Sequence, residues 1–264
     1  ALHRAPTRFA APVSTRGDGG GRGGSGGVCM VSAGASEGKR AEPTRIVEGP
    51  LQGQFGTWFV DQHDAAEVLT YRGALVAAAL SASMGVFLGV SGGEASPPPA
   101  WALDLCAAGF FAGFGVSIAT IHIYMKPMHD FLKALWAAGV AGSLGVLALS
   151  ESHSLIMATY EQPALLLAWG WVFVALTGLF FKEFACFQRW EASALFALTP
   201  LLTGGHFLGL VSGGTQQNMA MALCAVFTFF AARKFTQPYH ADIGDKTVFD
   251  LFAAQAARLD KEAA

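Results

Sequence analysis

Three long stretches of this 264-residue chain contain no lysine or arginine at all: residues 73–125, 134–181 and 190–232. Charge is scarce throughout. Asp, Glu, Lys and Arg make up 14% of the residues, against about 25% in an ordinary soluble domain. With 53% hydrophobic residues and a formal net charge of −2, the composition excludes a soluble globular protein and offers nothing to a nucleic acid. The four cysteines (Cys29, Cys106, Cys186, Cys224) show no C-x-x-C spacing, so neither a zinc site nor a disulfide framework is indicated. Metalloprotease, nucleophile-elbow and phosphate-loop motifs are missing too. No apolar stretch carries the run of carboxylates that a proton- or cation-coupled carrier would need.

What is present is a pattern of placement. A helix needs roughly 20 apolar residues to cross the hydrocarbon core, so each cation-free stretch has room for two crossings and a turn. All 17 basic residues then fall on one side, and retained basic loops mark the untranslocated side. The expected fold is all-α: a polytopic bundle of six transmembrane helices with both termini on the same side. The spans are expected at about 71–90, 101–124, 131–149, 163–181, 192–211 and 217–232. Three consecutive prolines, Pro97–Pro99, stop helix propagation between the first two. The expected organisation is a basic tail at 1–45, a short extramembrane segment at 46–70, the membrane domain at 71–232 and a C-terminal tail at 233–264. Within 46–70, Asp61 or Asp64 is expected to cap a helix leading into the first span.

The tail is rich in Arg and Gly and poor in acid, the composition of an organelle transit peptide. A disordered basic tail is the alternative. Lys126 and Lys133 frame one basic loop, and Lys182 and Arg189 frame another with the same spacing. A duplicated hairpin, or two loops obeying one charge rule, would each produce this echo.

Small residues mark candidate packing faces: Gly85 with Gly89, Gly109 with Gly113, and the series Gly139, Gly142 and Gly145. Without a hydrophobic drive between helices in lipid, close backbone approach does much of the work of association. Polar residues in membrane segments carry a functional expectation. Glu67 and Arg72 flank the first span, while Lys126, Lys182 and Glu183 lie at the same depth, so the five form a candidate polar cluster. Snorkelling at helix ends accounts for Lys126, and equally for Lys133 and Arg189. His122 and His206 are candidate ligands for a metal or for the magnesium of a chlorophyll, since a neutral imidazole can ligate. Structural hydrogen bonding is the alternative for both, and no shared metal site is expected.

Several motifs together resemble a known family. They are Gln52-Gly53-Gln54-Phe55-Gly56, Glu67-Val68-Leu69 with Tyr71-Arg72, Ile121-His122-Ile123-Tyr124 with Lys126-Pro127, and Thr177-Gly178-Leu179-Phe180-Phe181-Lys182-Glu183 with Cys186-Phe187. Gly205-His206 and Asp242-Ile243-Gly244-Asp245-Lys246 complete the set. The chain is similar over about residues 50–252 to the integral membrane proteins of cyanobacteria and plastids grouped as domain of unknown function 2301. That resemblance implies a thylakoid setting with the basic side toward the stroma. The leading expectation is an accessory or assembly-related protein of a photosynthetic complex, with photosystem I favoured over photosystem II. Its expected partners are thylakoid lipids and other membrane subunits, and its expected cofactors chlorophyll a and carotenoid. A small-solute or ion carrier lined by His122, Lys182, Glu183 and His206 is the second expectation. A lipid- or pigment-modifying enzyme using His122, Lys182 and Glu183 is the third.

Overall fold

The computed structural model describes residues 45–92, 97–123 and 125–263. The expected targeting segment and Cys29 lie outside the described residues.

The chain first forms an antiparallel hairpin, β1 (Ile46–Gln52) and β2 (Thr57–Asp61), with Leu51 opposite Trp58 and Gln52 opposite Thr57. The Gly53 N–H donates to the Gly56 carbonyl across the turn. Trp58 and Val60 point inward, alternating as strand geometry requires, and pack with Val68 and Ile243 in a small core of their own. The all-α expectation is therefore corrected to a mostly helical fold carrying one hairpin.

Asp61 ends the hairpin and caps α1 (Gln62–Ser91), accepting from the His63 and Asp64 N–H groups. Asp64 reaches back to the Asp61 N–H, a reciprocal capping box. Capping at Asp61 carries the helix through the expected boundary at residue 70, so the interfacial segment and the first span are one rod. After α2 (Ala100–Thr120) the chain is non-helical at Ile121–Ile123, and α3 (Lys126–Leu149) starts with Pro127 in its first turn. Proline is tolerated there because the N–H it lacks has no intrahelical partner at that position.

A short helix, α4 (Leu155–Glu161), occupies the following connection and is held by Asp104, which accepts from Ser154 and the Ile156 N–H. A 3-10 turn (Pro163–Leu165) and α5 (Leu166–Trp169) then lead, through a 66° bend, into α6 (Trp171–Phe187). α7 (Trp190–Phe207) and α8 (Gly213–Lys234) follow, then α9 (His240–Ile243) and α10 (Lys246–Ala263).

Six helices form a closed ring: α1 packs on α2, α2 on α3, α3 on α6, α6 on α7, α7 on α8, and α8 back on α1. Among the described residues, α1, α2 and α3 are long and apolar enough to cross a membrane. The bent pair 163–187 supplies a fourth crossing if it is one span. Large apolar side chains cover the outside, among them Phe87, Trp101, Leu105, Leu149 and Trp171. Water would penalise such a surface, whereas lipid does not.

Gly113 lets α1 and α2 touch: a Cβ there would lie 2.7 Å from the Ala74 carbonyl oxygen and 2.8 Å from the Ala78 nitrogen. Gly139 and Gly142 face the backbone at 168–172 in the same way, Gly109 faces Ser81, and Gly85 faces Cys106. Gly89 and Gly145 do not belong to this group. A Cβ at either would meet nothing within 4 Å.

Candidate functional site

The chain brings its basic-end helix termini together around a buried ion cluster. Arg72 on α1, Lys182 and Glu183 on α6, Lys234 on α8 and Asp242 on α9 are all buried. The Arg72 guanidinium donates through Nε to Asp242 Oδ2 at 2.7 Å and through its two amino groups to the Gln237 and Pro238 carbonyls, both at 2.9 Å. Lys234 Nζ lies 2.5 Å from both Glu183 Oε2 and Asp242 Oδ1. Glu183 also accepts from Lys182 and from the Tyr71 hydroxyl, each at 3.2 Å.

Three cations thus meet two carboxylates. The excess positive charge is cushioned by aromatic faces: Lys182 sits 4.6 Å from the Phe187 ring centre, Lys234 5.3 Å from Tyr71, and Arg72 5.5 Å from Tyr239. Lys234 also lies in the last turn of α8, where the helix dipole favours cations. Next to the cluster, the buried Glu191 at the start of α7 takes two hydrogen bonds from Arg233, at 2.9 and 3.0 Å.

The hairpin is tied to the same corner. Glu48 accepts from the Tyr239 N–H and from the N–H and ring of His240. Lys246 pairs with Asp64, and Asp245 accepts from the Gln54 N–H and the Thr247 hydroxyl. Burial alone would raise the Glu48 pKa, but the donors from Tyr239 and His240 outweigh it and hold the carboxyl below its ordinary value. The Thr247 hydroxyl and the Gln54 N–H do the same for Asp245.

A carboxyl whose folded pKa is lowered contributes stability above its ordinary value of about 4. It loses that contribution as pH falls through the lowered value. Hydrogen exchange across residues 46–61 is therefore expected to stay slow near neutrality and to accelerate below about pH 4. Glu48→Gln should make exchange there faster at neutral pH and less dependent on acid.

The five-residue cluster expected from the sequence is only partly assembled. Arg72, Lys182 and Glu183 join it. Glu67 instead faces His122 at 3.2 Å and His63 at 3.7 Å, and Lys126 pairs with Asp130 in the open. Tyr71, Lys234 and Asp242 complete the arrangement. Two of them stood in the Tyr71-Arg72 and Asp242–Lys246 motifs, whereas Lys234 reads in sequence as an ordinary flanking cation.

His206 lies at the other end of the bundle. Its Nδ1 accepts from the Gln216 amide at 2.9 Å, and its Nε2 faces the Thr159 carbonyl at 3.3 Å. Both nitrogens are engaged, so His206 joins α7 to α8 and α4. The carrier path expected through His122, Lys182, Glu183 and His206 would need one lining. The structure places the last of these far from the other three.

Inside the ring, from mid-bundle to the end away from the basic cluster, runs a cleft of about 500 Å³. Phe110, Phe173, Leu176 and Phe227 line its depth, and Pro97, Pro98, Tyr160, Gly213 and Gln217 line its rim. Phe227 stacks edge-on to Phe180, Phe180 to Phe230, and Lys234 stands over Phe230. An aromatic layer thus separates the cleft from the ion cluster. Among the described residues no group of His, Cys, Asp and Glu is placed to hold a metal.

Residues 116–251, just over half of the chain, match the protein family described as Uncharacterized integral membrane protein (DUF2301). The chain belongs to this family. It is therefore a multi-pass integral membrane protein. The match begins within α2 and takes in the cluster residues Lys182, Glu183, Lys234 and Asp242, while α1 brings Tyr71 and Arg72 to them from outside the matched segment. No curated protein and no solved structure matches this DUF2301 chain.

Proposed function

We propose that this DUF2301 protein is a six-span accessory or assembly-related protein of the thylakoid membrane. It binds other subunits of a photosynthetic complex, photosystem I foremost, and holds a hydrophobic ligand in its bundle. α7 and α8 complete the six crossings, with the basic ends of the ring toward the stroma, as retained cationic loops require. The apolar cleft carries the reading: it suits an apolar molecule and stops at an aromatic layer. The ionisable groups beyond that layer are consumed in pairing with one another. A general acid or base needs a free face within reach of substrate, and Glu183, enclosed by two ammonium groups and a phenol, has none.

The test is native electrophoresis of thylakoids solubilised in mild detergent. The protein should co-migrate with a chlorophyll-bearing complex. Recovery only as a free, pigment-less species would overturn the proposal. A carrier is the second reading, favoured by the opening of the cleft toward the end away from the basic cluster. It requires Cys106 and Cys224, which line the cleft, to become reactive to a water-soluble maleimide added from the basic side.

A further inference from the structure

We infer that the cleft is a binding site for one neutral amphiphile: a single apolar chain inside the ring and an uncharged polar head at the rim. This rests on the ligand-holding part of the function proposed above and names the ligand's class. Four observations converge on it.

The first is size and lining. The depth is walled by aromatic and aliphatic side chains, and about 500 Å³ holds roughly sixteen methylenes if each takes the ~30 Å³ share of a liquid water. Apolar lining of this kind accepts apolar guests. The second is the rim. Tyr160 is 73% exposed and Gln217 is exposed. Neither the Tyr160 hydroxyl nor the Gln217 amide has a hydrogen-bond partner among the described residues, so both are free to donate to a head group.

The third is charge. No lysine or arginine occurs in the helices at that end, because residues 73–125, 134–181 and 190–232 contain none. Among the described residues the ionised groups nearby are acidic, Glu151 and Glu161, both exposed, with Asp104 committed to α4. A phosphate or carboxylate head would find no lysine or arginine counter-charge there among the described residues. The fourth is access. A groove on the outer face of α1 and α8 shares Val86, Val90 and Cys224 with the cleft. Below this shared wall, Ser83 and Thr228 hydrogen-bond across the α1–α8 seam at 3.0 Å. Val86, Val90 and Cys224 thus separate the cleft from a groove on the outer face, and this is the wall a chain would part to enter from the bilayer.

Gly89 provides a clean test. It lines the cleft, and a Cβ there meets nothing within 4 Å. Gly89→Phe adds a ring at the cleft wall from a Cβ that displaces nothing. Gly145→Phe is the matched control, since Gly145 also faces open space but lies off the cleft.

The full chain is purified in mild detergent and its lipid extract quantified by mass spectrometry. The expected result is about one neutral single-chain lipid per protein in the parent and in Gly145→Phe, and at least a tenfold loss in Gly89→Phe. Fragmentation tells a prenyl chain from an acyl chain, and either supports the inference. Equal retention in Gly89→Phe, an anionic lipid as the bound species, or no bound lipid would overturn it.

Should Gly89→Phe fail to accumulate, peptide mapping of maleimide-treated parent protein decides. Cys106 labelling should rise severalfold once lipid is stripped by detergent exchange, and unchanged labelling refutes the inference. None of these readouts depends on partner subunits, so a negative result leaves co-migration with a photosynthetic complex as a separate question.

Discussion

Glu183→Gln will be among the most damaging single changes in this protein, costing about 3–5 kcal/mol, the range for removing one partner of a buried ion pair. Glu183 is fully buried and accepts from Lys182, Lys234 and Tyr71. Without its charge, Arg72, Lys182 and Lys234 would share Asp242 as their single carboxylate. Lys234→Met acts on the same contacts in the opposite sense. It leaves two cations facing two anions, Lys182 with Glu183 and Arg72 with Asp242, and should cost less than half as much. Combining the two substitutions returns the cluster to one excess positive charge, so the double variant should be more stable than Glu183→Gln alone. Thermal unfolding of the detergent-solubilised variants, arranged as a double-mutant cycle, reads this directly. A Lys234→Met variant less stable than Glu183→Gln would show that hydrogen bonding, rather than charge balance, dominates the cluster.

Gly113→Ala is expected to destabilise by about 1–3 kcal/mol, the range for overpacking a filled contact. The added methyl would press on the Ala74 carbonyl and the Ala78 nitrogen, which belong to the α1 backbone and cannot turn aside as a side chain would. Gly113→Leu should prevent α1 and α2 from closing at all. Gly145→Ala makes the contrast. Its Cβ meets nothing, and alanine removes the roughly 0.5–1 kcal/mol penalty that glycine carries inside a helix. That variant should melt at or above the parent temperature. Similar losses in the two alanine variants would mean that helix propensity, rather than interhelical distance, sets the value.

The contrast between Gly113 and Gly145 also shows where the sequence was legible. Spacing marks small residues on a helix, but it does not say whether a neighbour fills the space beside them. Gly113, Gly139 and Gly142 meet backbone, whereas Gly89 opens on the cleft and Gly145 on nothing. Helix placement was easier, because excluding cations from lipid leaves a coarse signal that survives errors of several residues. The start of α1 follows the cap expected at Asp61, and the Asp61–Asp64 capping box carries helix well ahead of the apolar run without a break at residue 70. Of the hairpin, the sequence marks only the glycines Gly53 and Gly56 between which the chain turns. Its strands mix Glu48, Gly49 and Pro50 with apolar residues, and β1 lacks a clean alternation. In the ion cluster, Arg72, Lys182 and Glu183 could be grouped by depth. Lys234 and Asp242 reach them through the turn after α8, a path that linear charge counting does not reveal.

The bond between Arg72 and Asp242 spans 170 positions of the chain. A chain ending anywhere between the two has the guanidinium without its carboxylate. A fragment that stops before Gly213 also lacks the eighth helix that closes the ring. A chain cut short before residue 242 would thus keep its apolar helices and still lack the bond that ties its two ends together.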